Sequence, residues 1–205
     1  MLYHHRKELK MITCGIPDSE FIRGQVPMTK EEVRVITLSK LRLQADDVLL
    51  DIGAGTGSIS IEAALLLTKG SVIAVEHNME AVELILENMQ KFDVDNIEVI
   101  DGSAPEALKG LTGITKVVIG GSSGQLINIL QWIDTNLAAG TRIVANAITL
   151  ETLVGLQQFF TEKKYIDIEI VQVAISRFEL VGKHTMLKAN TPVFIVTAEK
   201  PIANE

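Results

Sequence analysis

A chain of 205 residues and 22.4 kDa is one domain of ordinary size, or one domain with an arm. With 47% hydrophobic and 22% charged residues, its composition is globular rather than disordered, and the single cysteine, Cys14, excludes a disulfide framework or a multi-cysteine metal site. The net charge of −7 argues against a general nucleic-acid binder. No apolar run reaches the roughly 18 residues of a membrane span. The start, Met1 to Lys7 with His4 and His5, lacks the apolar stretch of a signal peptide, so a cytoplasmic protein is expected. The charge is uneven. Residues 1–44 carry eight Lys/Arg against five Asp/Glu, residues 45–175 seven against eighteen, and residues 176–190 three against one. Two basic segments flanking an acidic middle would suit an anionic ligand if they met in space.

Along the chain, Thr29 followed by Glu32 is a capping-box pattern, which predicts a helix from there to about Leu41. Strands are expected at Asp47 to Ile52, Ser71 to Glu76, Asn96 to Ile100, Lys116 to Ile119 and Thr141 to Ala147. Between and after them, helical patterns cover Ser58 to Thr68, Asn78 to Phe92, Pro105 to Leu108, Gly124 to Leu137 and Thr149 to Glu162. Two β-rich runs, Ile166 to Ile175 and Pro192 to Ala198, close the chain with no helical pattern between them. The alternation predicts an α/β fold with a seven-stranded, mainly parallel sheet, helices on both faces and a C-terminal antiparallel strand. Binding is then expected at the carboxyl ends of the first four strands.

Asp51-Ile52-Gly53-Ala54-Gly55-Thr56-Gly57-Ser58 follows the first strand and opens a helix. Its glycines allow a tight turn and close backbone approach to a ligand. Glu76 ends the next strand, where a carboxylate can hold two ribose hydroxyls. Asp51 opposes a pyrophosphate and suits a cation, and Ser58 stands where a dinucleotide fingerprint needs its third glycine. Together these point to S-adenosylmethionine rather than NAD. Asp101-Gly102-Ser103-Ala104-Pro105 follows the third strand, with Ala104 able to offer its N–H to an adenine. Gly120-Gly121-Ser122-Ser123-Gly124 stands where many nucleic-acid methyltransferases carry Asn/Asp-Pro-Pro-aromatic, and its small residues leave room for a bulky acceptor.

The segments Gly15 to Asp18, Val26 to Arg34, Asp51 to Ala63, Gly102 to Pro105, Ile119 to Ser122, Asn146 to Glu151 and Ser176-Arg177 together resemble the decarboxylating precorrin carbon-15 methyltransferases of cobalamin biosynthesis. The resemblance runs from about residue 15 to 195. It implies a Rossmann-like class I methyltransferase domain over 45–205, preceded by an N-terminal segment and lid helix over 1–44. It also implies methylation of carbon-15 of cobalt-precorrin-6B, or its metal-free counterpart, with loss of carbon dioxide from the ring C acetate. By family pattern the donor site maps onto Thr29, Gly53, Ala54, Gly55, Thr56, Gly57, Glu76 and Ala104, and Thr29 gains a lid role. A homotetramer and a functional association with a carbon-5 methyltransferase are further implications, with no metal, nucleic acid or membrane involved.

A substrate with many carboxylates calls for Arg and Lys. Arg23, Lys30, Arg177, Lys183 and His184 are candidates, together with Gly121 and Ser122 of the small-residue loop. Arg34 is expected on a helix surface and Asn146 in a structural role. No residue stands out as a general acid or base. The competing functions are an RNA or other small-molecule methyltransferase of the same fold, a non-catalytic cofactor-binding partner, and an NAD-dependent dehydrogenase.

Overall fold

The computed structural model describes residues 14–202; His4 and His5 lie outside them. Besides two three-residue 3₁₀ helices, Asp18–Glu20 and Glu106–Leu108, five α-helices and nine strands follow in order: α1 (Glu31–Leu41), β1 (Val48–Ile52), α2 (Ser58–Leu66), β2 (Ser71–Glu76), α3 (Met79–Phe92), β3 (Ile97–Asp101), β4 (Lys116–Ile119), α4 (Leu126–Asn136), β5 (Arg142–Ala147), α5 (Leu150–Glu162), β6 (Ile166–Val173), β7 (Ser176–Val181), β8 (His184–Ala189) and β9 (Val193–Glu199). Seven strands form one sheet in the order β3-β2-β1-β4-β5-β9-β6. The first five run parallel, and β9 enters antiparallel between β5 and β6. This is the expected α/β architecture.

Strand alternation divides the core in two. Leu50, Ile52, Val117, Ile119 and Ile143 face Ile129 and Ile133 of α4 and Leu156 and Phe160 of α5. Leu49, Val118, Val144 and Ile195 face Leu38 and Leu41 of α1 and Ile61 and Ala63 of α2. Ile16 and Phe21, upstream of α1, join the second core, so the stretch from Ile16 to Phe21 is packed onto the domain. The α2 helix is buried from Ser58 to Ala64, which explains why it carries no polar face.

Three expectations need correction. Thr29 is not a helix cap: α1 begins at Glu31, and the capping position, Lys30, makes no side-chain cap bond. The Glu31 N–H instead donates to Asp18 Oδ1 at 3.0 Å, and Glu32 is drawn away to Arg177. A tertiary contact thus replaces the local box. Arg34 is not on the surface but fully buried. The stretch between the two closing strands, for which no element was expected, forms a separate hairpin of β7 and β8. Val181-Gly182-Lys183-His184 makes its two-residue turn, with Gly182 at φ +64°.

Candidate functional site

The carboxyl ends of β1, β2 and β4 open into two adjoining cavities, of about 470 and 210 Å³, which share Gly53, Glu76, His77, Gly121 and Ser123 as walls. The loop after β1 turns immediately. Gly53 and Ala54 donate their N–H groups to the Val75 carbonyl at 2.9 and 3.2 Å. Gly53 has φ +70°, and a Cβ there would stand 2.6 Å from the Gly121 carbonyl oxygen. Only glycine fits both the conformation and the contact. The loops after β1 and β4 are therefore packed backbone to backbone.

Glu76, at the end of β2, is buried and borders both cavities. Its Oε2 accepts from Gly55 N–H at 2.9 Å, and its Oε1 accepts from His77 and Asn78 N–H at 2.8 and 2.9 Å. One carboxylate thus ties the glycine loop to the start of α3 and keeps further lone pairs for a ligand. Asp51 lies one strand over, on the larger cavity. Its Oδ2 accepts from Ser60 Oγ at 2.6 Å, while its Oδ1 is buried without a partner. Burial pushes this carboxyl up to about 7; the Ser60 hydrogen bond works against that and the Glu76 charge adds to it. An unpaired buried carboxylate oxygen is an acceptor waiting for a cationic donor.

Ala104 lines the smaller cavity with Gly102, Ser103 and Ser122, and Gly121 lines both. Thr29 and Lys30 line the larger cavity from the strap that precedes α1. Thr56 and Gly57 stand on neither wall. Thr56 is buried, and a Cβ on Gly57 would press on Ile85 at 3.0 Å, so that glycine serves helix packing.

The strap is anchored by Arg34. Its guanidinium donates to Glu62 Oε1 at 2.5 Å, Asp18 Oδ1 at 3.2 Å, the Thr29 carbonyl at 2.7 Å and the Ile16 carbonyl, and it sits over the Phe21 ring at 4.7 Å. Glu62, on α2, also accepts from the N–H groups of Gly15 and Ile16 at 2.7 and 3.1 Å. Hydrogen bonds from both partners satisfy a charge pair that burial would otherwise penalise.

A family model described as a precorrin methyltransferase domain matches residues 20–200. The chain belongs to the precorrin methyltransferase family. The cobalt-precorrin-6B C(15)-methyltransferase (decarboxylating) of Salmonella typhimurium is 39% identical over 184 residues, which are 89% of this chain and 95% of that protein. Among solved structures, the precorrin-6Y C5,15-methyltransferase of Geobacter metallireducens superposes with a TM-score of 0.84 at 40% identity, covering 91% of this chain and 98% of that one. The precorrin 8W decarboxylase of Methanobacterium thermoautotrophicum gives 0.82 at 34% identity, covering 89% and 98%.

In this precorrin methyltransferase the basic candidates do not gather at one point. Lys30 is on the cavity wall and 3.7 Å from Asp18. Arg23 borders a separate depression along the same strap. Arg177, on β7, places Nη2 at 2.6 and 2.7 Å from both oxygens of Glu32, whose carboxyl it holds below its usual range. Lys183 sits exposed in the turn of the hairpin, beside His184 at the start of β8. Sequence reasoning missed Asn78 and Asn190, which line the larger cavity, and set aside Asn146. Asn146 ends a strand on the side where the crevice was expected, which was the available signal.

Proposed function

We propose that this chain methylates carbon-15 of cobalt-precorrin-6B, or its metal-free counterpart, and releases the ring C acetate carboxyl as carbon dioxide. The carrying observation is the pairing of Asp51 and Glu76 at the mouth of the glycine loop, in a chain of the precorrin methyltransferase family. These residues fit S-adenosylmethionine. The unpaired Asp51 Oδ1 suits its ammonium, Glu76 its ribose hydroxyls, and the cavity beside Ala104 its adenine. When bound, the cofactor supplies a methyl group on a sulfonium, which transfers without its bonding electrons.

What the chain supplies is alignment. Gly53 to Gly55 and Glu76 form one hydrogen-bonded wall, and the strap from Val26 to Lys30 forms a second. Holding donor and acceptor in line accounts for much of the rate in such a displacement. The acceptor balances its own electrons. Cleavage of the acetate C–C bond leaves a pair in the conjugated macrocycle, and forming the new C–CH₃ bond uses one pair. Arg177, Lys183 and Arg23 lie outside the cavity, where the outer carboxylates of a ring too wide to enter would meet them. A homotetramer, and association with a carbon-5 methyltransferase, belong to the same proposal.

Calorimetric titration with S-adenosylhomocysteine, on wild type and Glu76→Ala, tests the cofactor assignment. Saturable binding weakened about ten-fold or more by the substitution, some 1.4 kcal/mol, is expected. No binding to wild type overturns it.

A further inference from the structure

The larger cavity holds a second unpaired polar group besides Asp51. Asn146 lines it, and its Nδ2 is buried without a partner. Strand register shows where it stands. Asp51 pairs with Val118, Val118 pairs with Val144, and Asn146 follows two residues later. Alternation puts Asp51 and Asn146 on the same face of the sheet. Two strand spacings of ~4.8 Å and two residues of rise separate their Cα atoms by roughly 12 Å. From the Asp51 Cα, its side chain (~3 Å), a hydrogen bond (~2.9 Å) and an extended methionine-like arm (~6 Å) together span about the same distance. An arm laid from Asp51 toward β5 would bring its methyl beside Asn146, at the acceptor end of the site.

The amide is also held in place. Thr37 Oγ1, on α1, is 3.1 Å from Asn146 Oδ1 and 2.8 Å from the Val33 carbonyl oxygen. The hydroxyl has one proton, and turning the amide over exchanges which of its atoms meets Thr37. With Oδ1 set toward Thr37, the atom left without a partner is the donor, Nδ2. A buried polar atom without a partner costs stability, and in a residue lining a cavity it is a candidate to pair with what the cavity binds.

We propose that Asn146 is a substrate-binding residue that orients the acetate carboxylate lost in the reaction, donating Nδ2–H to it. This rests on the reaction proposed above. The chemistry favours a neutral donor at this point. The C–C bond breaks, its electron pair stays with the macrocycle, and the carboxylate leaves as uncharged carbon dioxide. A guanidinium or ammonium would hold the charged ground state and oppose that loss. An amide directs the carboxylate with a weaker bond. Consistent with this, Lys30 is the one Lys or Arg among the described residues lining the cavity, while three of the lining residues are asparagines.

The test compares Asn146→Ala and Asn146→Asp with wild type. The probes are S-adenosylhomocysteine binding, melting temperature, and turnover of cobalt-precorrin-6B followed separately as methyl transfer and carbon dioxide release. Asn146→Ala is expected to bind S-adenosylhomocysteine within two-fold of wild type and to melt no lower. Its kcat/KM should fall ten-fold or more, with carbon dioxide release falling further than methyl transfer. Asn146→Asp, which sets a negative charge against the carboxylate, should fall further still. Variants that release carbon dioxide at the wild-type rate overturn the inference and leave the reaction standing. So does an alanine variant that melts several degrees lower and loses S-adenosylhomocysteine binding, because that marks a structural residue. Wild type that fails to turn over the precorrin removes the reaction, and this inference with it.

Discussion

Asp51 joins a structural cost to a binding opportunity in one side chain. An unfolded aspartate titrates near 3.9, whereas the buried Asp51 carboxyl keeps its proton up to about 7. Between those values the native state binds more protons than the unfolded one. The contribution of this residue to stability therefore declines as pH rises from about 4 to about 7, and is level above that. Asp51→Asn should flatten that part of a stability–pH curve measured by urea unfolding. A cationic ligand needs the ionised form, so S-adenosylhomocysteine should bind more tightly as pH rises from about 5.5 to 7.5. Below pH 7 binding should release a proton, which calorimetry in buffers of different ionisation enthalpy detects. A pH-independent affinity would place the ammonium elsewhere. Gly53 is constrained differently. Gly53→Ala forces a left-handed alanine, at about 1–2 kcal/mol, against the Gly121 carbonyl. It should lower both the melting temperature and S-adenosylhomocysteine affinity.

At the scale of elements, the roof of the site is a strap whose docking depends on one buried ion pair. Arg34→Met leaves Glu62 buried without its counter-charge, and a loss of about 3–5 kcal/mol in urea unfolding is expected. Amides in residues 15–30 should exchange with solvent markedly faster, and those of β1 much less so. Adding Glu62→Leu should recover part of the loss, since the orphaned charge goes with it. This element also marks where sequence patterns stop being informative. The floor of the site was legible, because strands of Val, Ile and Leu, glycines at turns and an acid closing β2 are local signals. Arg34 was not, since a charged residue between Val33 and Val35 looks the same whether it meets water or Glu62, 28 positions away. The capping box misled for the same reason: Asp18 and Arg177 compete for its partners from elsewhere in the chain. The hairpin had its Gly-Lys turn in plain view, but with no core against it the apolar alternation that marks a strand was weak.

At the scale of the whole molecule, two surfaces are conspicuously apolar, the hairpin and the edge strand. Phe178, Leu180 and Leu187, on one face of the hairpin, are 74, 76 and 63% exposed, and Ile166, Ile168 and Ile170 lie exposed on the edge strand β6. A monomer rarely leaves such a surface to water. Sedimentation at micromolar concentration should therefore give a mass well above 22.4 kDa. Phe178→Ser with Leu180→Ser should shift it downward without loss of helical signal. A monomeric wild type would count against the proposed tetramer.

The position of β9 has a consequence for biosynthesis. Among the described residues the last strand in sequence, β9, is not an edge strand; it is clasped between β5 and β6 and closes the sheet. Until Val193 to Glu199 emerge, β5 lacks a neighbour on one side and β6 has none in the sheet. Every nascent chain thus passes through an interval in which the acceptor wall, Asn146 included, is unfinished and a row of backbone donors lies open. Completion comes only when Val193 to Glu199 are in place. Ribosomes stalled shortly before that point would carry a domain able to form its glycine loop but unable to build the other half of its site.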